Sequence, residues 1–127
     1  MGAATNLTER YTDLMRRLGD ASVQALEPQL VFGDATAVAM TAELNTFMLE
    51  AIQLMEDVFN TFDLELEANR ANPRIAGWMI VFKRWCGSPA FAAVWPKVQG
   101  EYNPLFREFA EAVAGATSWP PDLPSRP

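Results

Sequence analysis

The chain has 127 residues, 50% of them hydrophobic and 11% aromatic, with 16 acidic against 10 basic residues and a formal net charge of −6. This is globular rather than disordered composition, at a length that suits one domain with a real core. The acidic balance argues against a nucleic-acid binder, which shows a basic surface, and the absence of histidine removes His-based triads, His-rich zinc sites and Glu-x-x-His di-iron pairs.

A first helix is predicted from Asn6, with Glu9 three residues on in a capping-box arrangement. Leu7, Tyr11, Leu14, Met15 and Leu18 form its apolar stripe, and Arg16 and Arg17 suit the negative end of its dipole before Gly19 as the stop. Asp20 to Leu26 suggests a short second helix ending before Pro28. The link from Glu27 to Gly33 holds Leu30, Val31 and Phe32, too apolar for a free loop and expected to tuck into the core.

From Asp34 to Asn69 the chain reads as one long amphipathic helix. Met40, Leu44, Phe47, Met48, Ala51, Met55, Val58, Phe59, Phe62 and Leu66 follow the 3.6-residue period, with no Pro or Gly between and Asp34 or Thr36 as the cap. Such a rod spans roughly 50 Å at about 1.5 Å per residue. Leu49, Ile52 and Leu54 flank the stripe and make the face wider than one packing partner requires, which predicts a homodimer.

Three helix starts follow: Asn72-Pro73, Ser88-Pro89 and Asn103-Pro104 each place a capping residue before a proline at the first helical position. The helix after Pro73 carries Ile75, Trp78, Met79, Phe82, Trp85 and Cys86 and stops at Gly87. The next carries Phe91, Val94, Trp95 and Val98, with Pro96 expected to kink or shorten it. The last carries Leu105, Phe106, Phe109, Ala110 and Val113 and stops at Gly115. No alternating strand pattern occurs. The expected fold is all-α, a small bundle of about five helices built around the central helix at about 34–69. Residues 1–118 form a single helical domain and 119–127 a Pro-rich tail that is extended or disordered.

Charge is segregated along the chain. Residues 18–67 carry Asp20, Glu27, Asp34, Glu43, Glu50, Glu56, Asp57, Asp63, Glu65 and Glu67 with no base, whereas from Ala68 onward the bases outnumber the acids. The ordinary reading is a solvated outer face on the long helix; the alternative is that this face meets a basic partner. Lys83 and Arg84, with Arg74 and Lys97, form a basic cluster beside tryptophans, read as charge balance against Glu65 and Glu67 or as a contact for anionic lipid or phosphate.

Few residues offer chemistry. Cys86, the single cysteine, leaves no internal disulfide and lies on an apolar stripe near a helix C-terminus, where a thiolate is disfavoured. Glu43, Glu50 and Asp57 fall on one helical line but on the polar face. Neither a glycine-rich phosphate loop nor a Gly-x-Ser-x-Gly elbow is present. No catalytic, cofactor or metal residues are assigned, and a non-enzymatic chain is expected. Met48, Ile52, Met55, Phe59, Trp78, Phe82, Trp85 and Trp95 are the candidates for an apolar pocket or a partner surface, with ordinary core as the competing reading.

The pattern from Trp78 to Val113, Trp-x6-Trp-Cys-Gly-Ser-Pro-Ala-Phe-x3-Trp followed by Tyr102-Asn-Pro-Leu-Phe-x2-Phe109, resembles the C-terminal portion of a group of uncharacterised bacterial all-helical domain proteins. The long helix ending Glu56-Asp57-Val58-Phe59 also fits. Members of that group often sit on the cytosolic side of a single membrane span. The resemblance implies a cytoplasmic helical module, peripheral to a membrane or once tethered by a segment upstream of Met1; it brings no activity or site residues. No run of 18 apolar residues exists in the chain, and its start lacks the basic and apolar regions of a signal peptide. The expected function is a protein–protein interaction or homo-oligomerisation module with itself or another protein as partner; the alternative is a helical protein binding an apolar small molecule or lipid.

Overall fold

The computed structural model describes residues 3–115. The Pro-rich tail expected at 119–127, and the end of the expected domain at 118, lie outside the described residues. Within them the fold is all-α. Helices α1 (Ala3–Arg17), α2 (Glu27–Phe32), α3 (Ala42–Thr61), α4 (Glu67–Arg70), α5 (Ala76–Cys86), α6 (Pro89–Val98) and α7 (Pro104–Ala114) are joined by short turns, with no strand among the described residues. α3 is the central element. α1 packs along one side of it and α6 along another, while α5 packs against α2, α6 and α7.

α3 is shorter than the 34–69 rod that the apolar period suggests, and both ends have a physical cause. At the start, Asp34 and Thr36 do not cap a helix; the Asp34 carboxylate accepts the Thr36 N–H at 2.7 Å and closes a local turn. The segment then runs irregularly, with Val38 and Met40 packed against the core, until Thr41, whose hydroxyl accepts from Leu44 N at 3.2 Å and caps α3. At the far end, Asp63 adopts the left-handed conformation with φ 50°. Leu64 N–H reaches back to Phe59 O at 3.0 Å and Asp63 N–H to Asn60 O at 3.3 Å, the paired bonds of a Schellman stop. Leu64 is thereby buried beside Phe59. Arg70 holds the turn from outside, donating to Leu64 O at 2.6 Å and to Glu65 O at 2.9 Å.

Within its true length α3 buries Leu44, Phe47, Met48, Ala51, Ile52, Leu54, Met55, Val58 and Phe59 against its own chain. Of the residues whose breadth predicted a homodimer, Ile52 and Leu54 are buried within the subunit, whereas Leu49 stays exposed at 37%.

α1 begins at Ala3, so Asn6 lies inside it rather than capping it; Ala3 and Ala4 are strong helix formers that extend the first turn. Leu7, Leu14 and Leu18 are buried, as the stripe requires. Residues 20–26 hold turns and a short 3-10 segment at Gln24–Leu26 rather than a second α-helix.

Of the three Pro-marked starts, Ser88 and Asn103 cap α6 and α7 directly, whereas Asn72 caps a short 3-10 turn, Pro73–Ile75, and α5 begins only at Ala76. The Asn72 amide oxygen accepts from Arg74 N at 3.0 Å, the Ser88 hydroxyl from Phe91 N at 3.1 Å, and the Asn103 amide oxygen from Leu105 N at 2.8 Å. α6 runs through Pro96 to Val98. Pro96 is exposed in the last turn, and so is Ala92, whose carbonyl loses its intrahelical partner there.

One contiguous apolar core joins all of these. Aromatic rings knit α5 to α7 through Phe82 and Phe109, 5.1 Å apart edge to face, and α1 to α5 through Tyr11 stacked on Trp85 at 5.8 Å. A small polar clamp sits within it. Gln29, 1% exposed, donates to Thr36 O at 3.0 Å and accepts from Ala90 N at 2.9 Å. Next to it Trp85 Nε1 donates to Leu30 O at 3.1 Å. α2 is thus pinned to α5 and α6 by polar bonds rather than by apolar area alone.

Candidate interaction surface

Of the eight residues proposed from sequence for a pocket or partner surface, Met48, Ile52, Met55, Phe59, Phe82, Trp85 and Trp95 are buried and Trp78 is half-buried. They are brought together, but as packed core. Phe59 lies within 6 Å of the Phe106 and Phe109 ring centres, Trp95 stacks on Phe91 at 5.2 Å, and Trp78 meets Tyr11 edge-on at 5.6 Å. The three surface grooves described below are lined by other residues.

Chemistry is muted inside this core. Cys86 is buried with its Sγ 3.8 Å from Met55 Sδ, and burial pushes its thiol well above the usual range. A neutral thiol shut away from solvent is a poor nucleophile. No cluster of three or more His, Cys, Asp or Glu side chains suited to a metal ion occurs among the described residues.

The acidic line on α3 finds bases within the chain. Arg17 of α1 forks onto Glu50 with bonds of 2.6 and 3.1 Å, and Arg10 reaches Asp57 at 2.7 Å. Arg17 thus serves α3 instead of the end of its own helix, and the Glu50 hydrogen bond raises its pKa further. Arg10, Arg17 and Glu50 line a groove of about 360 Å³ together with Glu9, Asp13 and Gln53. A second groove, about 350 Å³, lies on α7 between Leu105, Arg107, Glu108 and Glu111. Both hold charges of opposite sign side by side.

The third groove differs. It measures about 300 Å³ and is lined by Gly33, Ile80, Lys83, Arg84 and Gly87. Helical geometry explains its composition. On α2 the inward positions are Gln29 and Leu30; Phe32, two residues or about 200° beyond Leu30, faces away from the core. It is 77% exposed, against the expectation that it tucks in with Leu30 and Val31. Gly33 then turns the chain with φ 70°, a left-handed conformation that glycine adopts without strain. On α5 the core takes Met79, Phe82, Trp85 and Cys86, leaving Ile80, Lys83, Arg84 and Gly87 at i, i+3, i+4 and i+7 along the opposite line. Ile80 is 50% exposed.

Sequence reasoning missed Phe32 and Ile80. The available signal was their displacement from the apolar stripes on either side, which periodicity shows once helix bounds are known. Of the expected basic cluster, Lys83 and Arg84 share this groove, whereas Arg74 and Lys97 are exposed outside its lining. No described helix is long and apolar enough to cross a membrane. No protein-family model, curated protein or solved structure matches the chain.

Proposed function

We propose that the chain is a non-enzymatic protein-interaction module that docks through the face around Phe32 and Ile80. The observation that carries this reading is a pair of exposed apolar side chains: Ile80, 50% exposed in the wall of a groove, and Phe32, 77% exposed next in sequence to Gly33 of the same lining. Burial of each side chain would gain about 1.5–3 kcal/mol, so leaving both in water sacrifices stability that a partner can recover. Large exposed apolar residues grouped at one groove mark an interaction site more often than scattered ones do. The core supports the same reading from the other side: its aromatic and methionine residues are engaged with one another, and its thiol is sealed off. The resemblance to bacterial cytosolic helical domains, which carries no activity, agrees with a module of this kind.

The test is site-specific photocrosslinking in cells, with a benzophenone side chain at position 80 and, as control, at position 93 on exposed α6 surface. A discrete protein adduct at position 80, absent at 93 and lost with Phe32→Ser, supports the reading. Equal patterns at both positions overturn it. So does a co-purifying apolar ligand in native mass spectra, which would move the function to small-molecule or lipid binding.

A further inference from the structure

We infer that the extended strap from Ala35 to Thr41 accepts an uncharged, extended segment of a different protein as an added β-strand, with a basic residue at the end that meets Glu43. The strap shares no residue with the Phe32 and Ile80 face, so the two surfaces stand or fall separately.

From Ala35 to Thr41 the chain forms no helix, turn or bend, so it runs extended, and Thr41 at its end has φ −95° and ψ 171°. Val38 and Met40 pack on the core while Ala37, Ala39 and Thr41 are exposed, the two-residue alternation of a strand. Yet no strand lies beside it. Among the described residues, the N–H and C=O groups of Ala35, Ala37, Val38, Ala39 and Met40 have no hydrogen-bond partner. In an extended chain both polar groups of a residue point to one side, and that side alternates along the chain. Gln29 takes Thr36 O at 3.0 Å, so Thr36, Val38 and Met40 turn their backbone groups toward α2. Ala37 and Ala39 turn theirs to the opposite edge, where a partner strand exchanges N–H···O bonds with both.

A row of unpaired backbone groups is a template for another strand, and edges are commonly blunted with charged side chains or proline. Residues 35–42 contain neither. The strap is also fixed in advance: Gln29 holds Thr36, Val38 and Met40 anchor the middle, and the Thr41 hydroxyl accepts from Leu44 N at 3.2 Å. Little ordering cost is left for binding. The methyl side chains at 37 and 39 leave room for a neighbour at the usual strand spacing of about 4.8 Å.

Charge selects the occupant. Asp34 and Glu43 bracket the strap, and neither has an ion pair among the described residues. Asp34 bonds Thr36 N and adjoins Gly33, whose groove Lys83 and Arg84 also line; Glu43 is exposed at the other end. A base on the partner beside Glu43 therefore meets an open carboxylate and sets the register. A second copy does the reverse. Two straps paired about a two-fold axis, Ala37 of one bonded to Ala39 of the other, would set Asp34 of each copy beside Glu43 of its mate, and like charges so placed are costly.

The experiment uses the intact chain and three synthetic peptides with an alternating Thr/Val core: one flanked by Lys, one flanked by Glu, and a Lys-flanked one N-methylated throughout its core, which has no N–H to donate. Fluorescence anisotropy reads binding. The first peptide should bind about tenfold or more tightly than either of the others, and amide hydrogen exchange should slow more at Ala37 and Ala39 than at Val38. A37P/A39P removes two N–H groups that the fold does not use and should weaken binding about tenfold or more. A37S/A39S keeps those groups and should leave binding unchanged, and E43Q should narrow the preference for Lys flanks. Absence of binding, equal affinity for the three peptides, or a loss in A37S/A39S as large as in A37P/A39P overturns the inference. So does a dimer dispersed by A37P/A39P, which would assign the strap to a second copy.

Discussion

Gln29 carries more structural weight than its class suggests. Its side chain serves two backbone groups from different segments, Thr36 O and Ala90 N, at a site 1% exposed. Removing it leaves a buried amide N–H without a partner, so Gln29→Ala should lower unfolding stability by about 2 kcal/mol in urea titrations. Cys86 yields a pH prediction. Burial raises its folded-state pKa above the 9.0 of a free thiol, so the folded chain keeps a proton that the unfolded chain gives up. The resulting stability is complete below that value and is lost as pH climbs past it. Tyr102 adds to this at higher pH, its pKa raised by burial and by Glu56 and Glu101. Stability should thus fall by about 1.4 kcal/mol per pH unit from Cys86 once the unfolded thiol ionises. Unfolding midpoints measured from pH 8 to 11 should show a shallower decline for Cys86→Ala.

At the level of elements, two devices shape α3. Its C-terminal stop places a non-glycine residue, Asp63, at φ 50°. Asp63→Gly should raise stability by about 0.5–1 kcal/mol by relieving that conformation, and Asp63→Val should lower it; thermal unfolding of the pair reads both signs. The α1–α3 seam joins Leu7, Leu14 and Leu18 in the core to the Arg17–Glu50 and Arg10–Asp57 pairs outside it. Both members of each pair are more than a third exposed, so solvent screens them. A double-mutant cycle on Arg17 and Glu50 should return a coupling of about 0.5 kcal/mol that shrinks in high salt. A much larger value would make the seam electrostatic rather than apolar.

For the molecule as a whole, the face around Phe32 and Ile80 and the enclosed face of α3 make opposite predictions. Because α3 is covered by its own chain, light scattering at tens of micromolar protein should give the monomer mass. Because Phe32 and Ile80 contribute little to the core, F32S/I80S should change the unfolding free energy by no more than about 0.5 kcal/mol while shortening retention on a hydrophobic-interaction column. Loss of folding in that variant would show that these residues serve the core.

Helix identity and helix starts are legible in the linear chain because they rest on local physics. Capping at Asn72, Ser88 and Asn103 and the stripes of α1, α5 and α7 depend on residues three or four apart. The ends of α3 are not legible, since an apolar residue every three or four positions reads the same whether it continues a helix, as Met55 does, or packs from an extended strap, as Met40 does. The Asp63 stop lacks the glycine that usually marks such a turn. The candidate site is harder still, because its composition is settled by burial. Whether Trp95 lines a pocket or fills the core, and whether Phe32 turns inward or out, depends on which faces α2, α3, α5 and α6 present to one another. That choice is made by long-range contacts such as Gln29 to Ala90 and Trp85 to Leu30, between residues more than fifty positions apart.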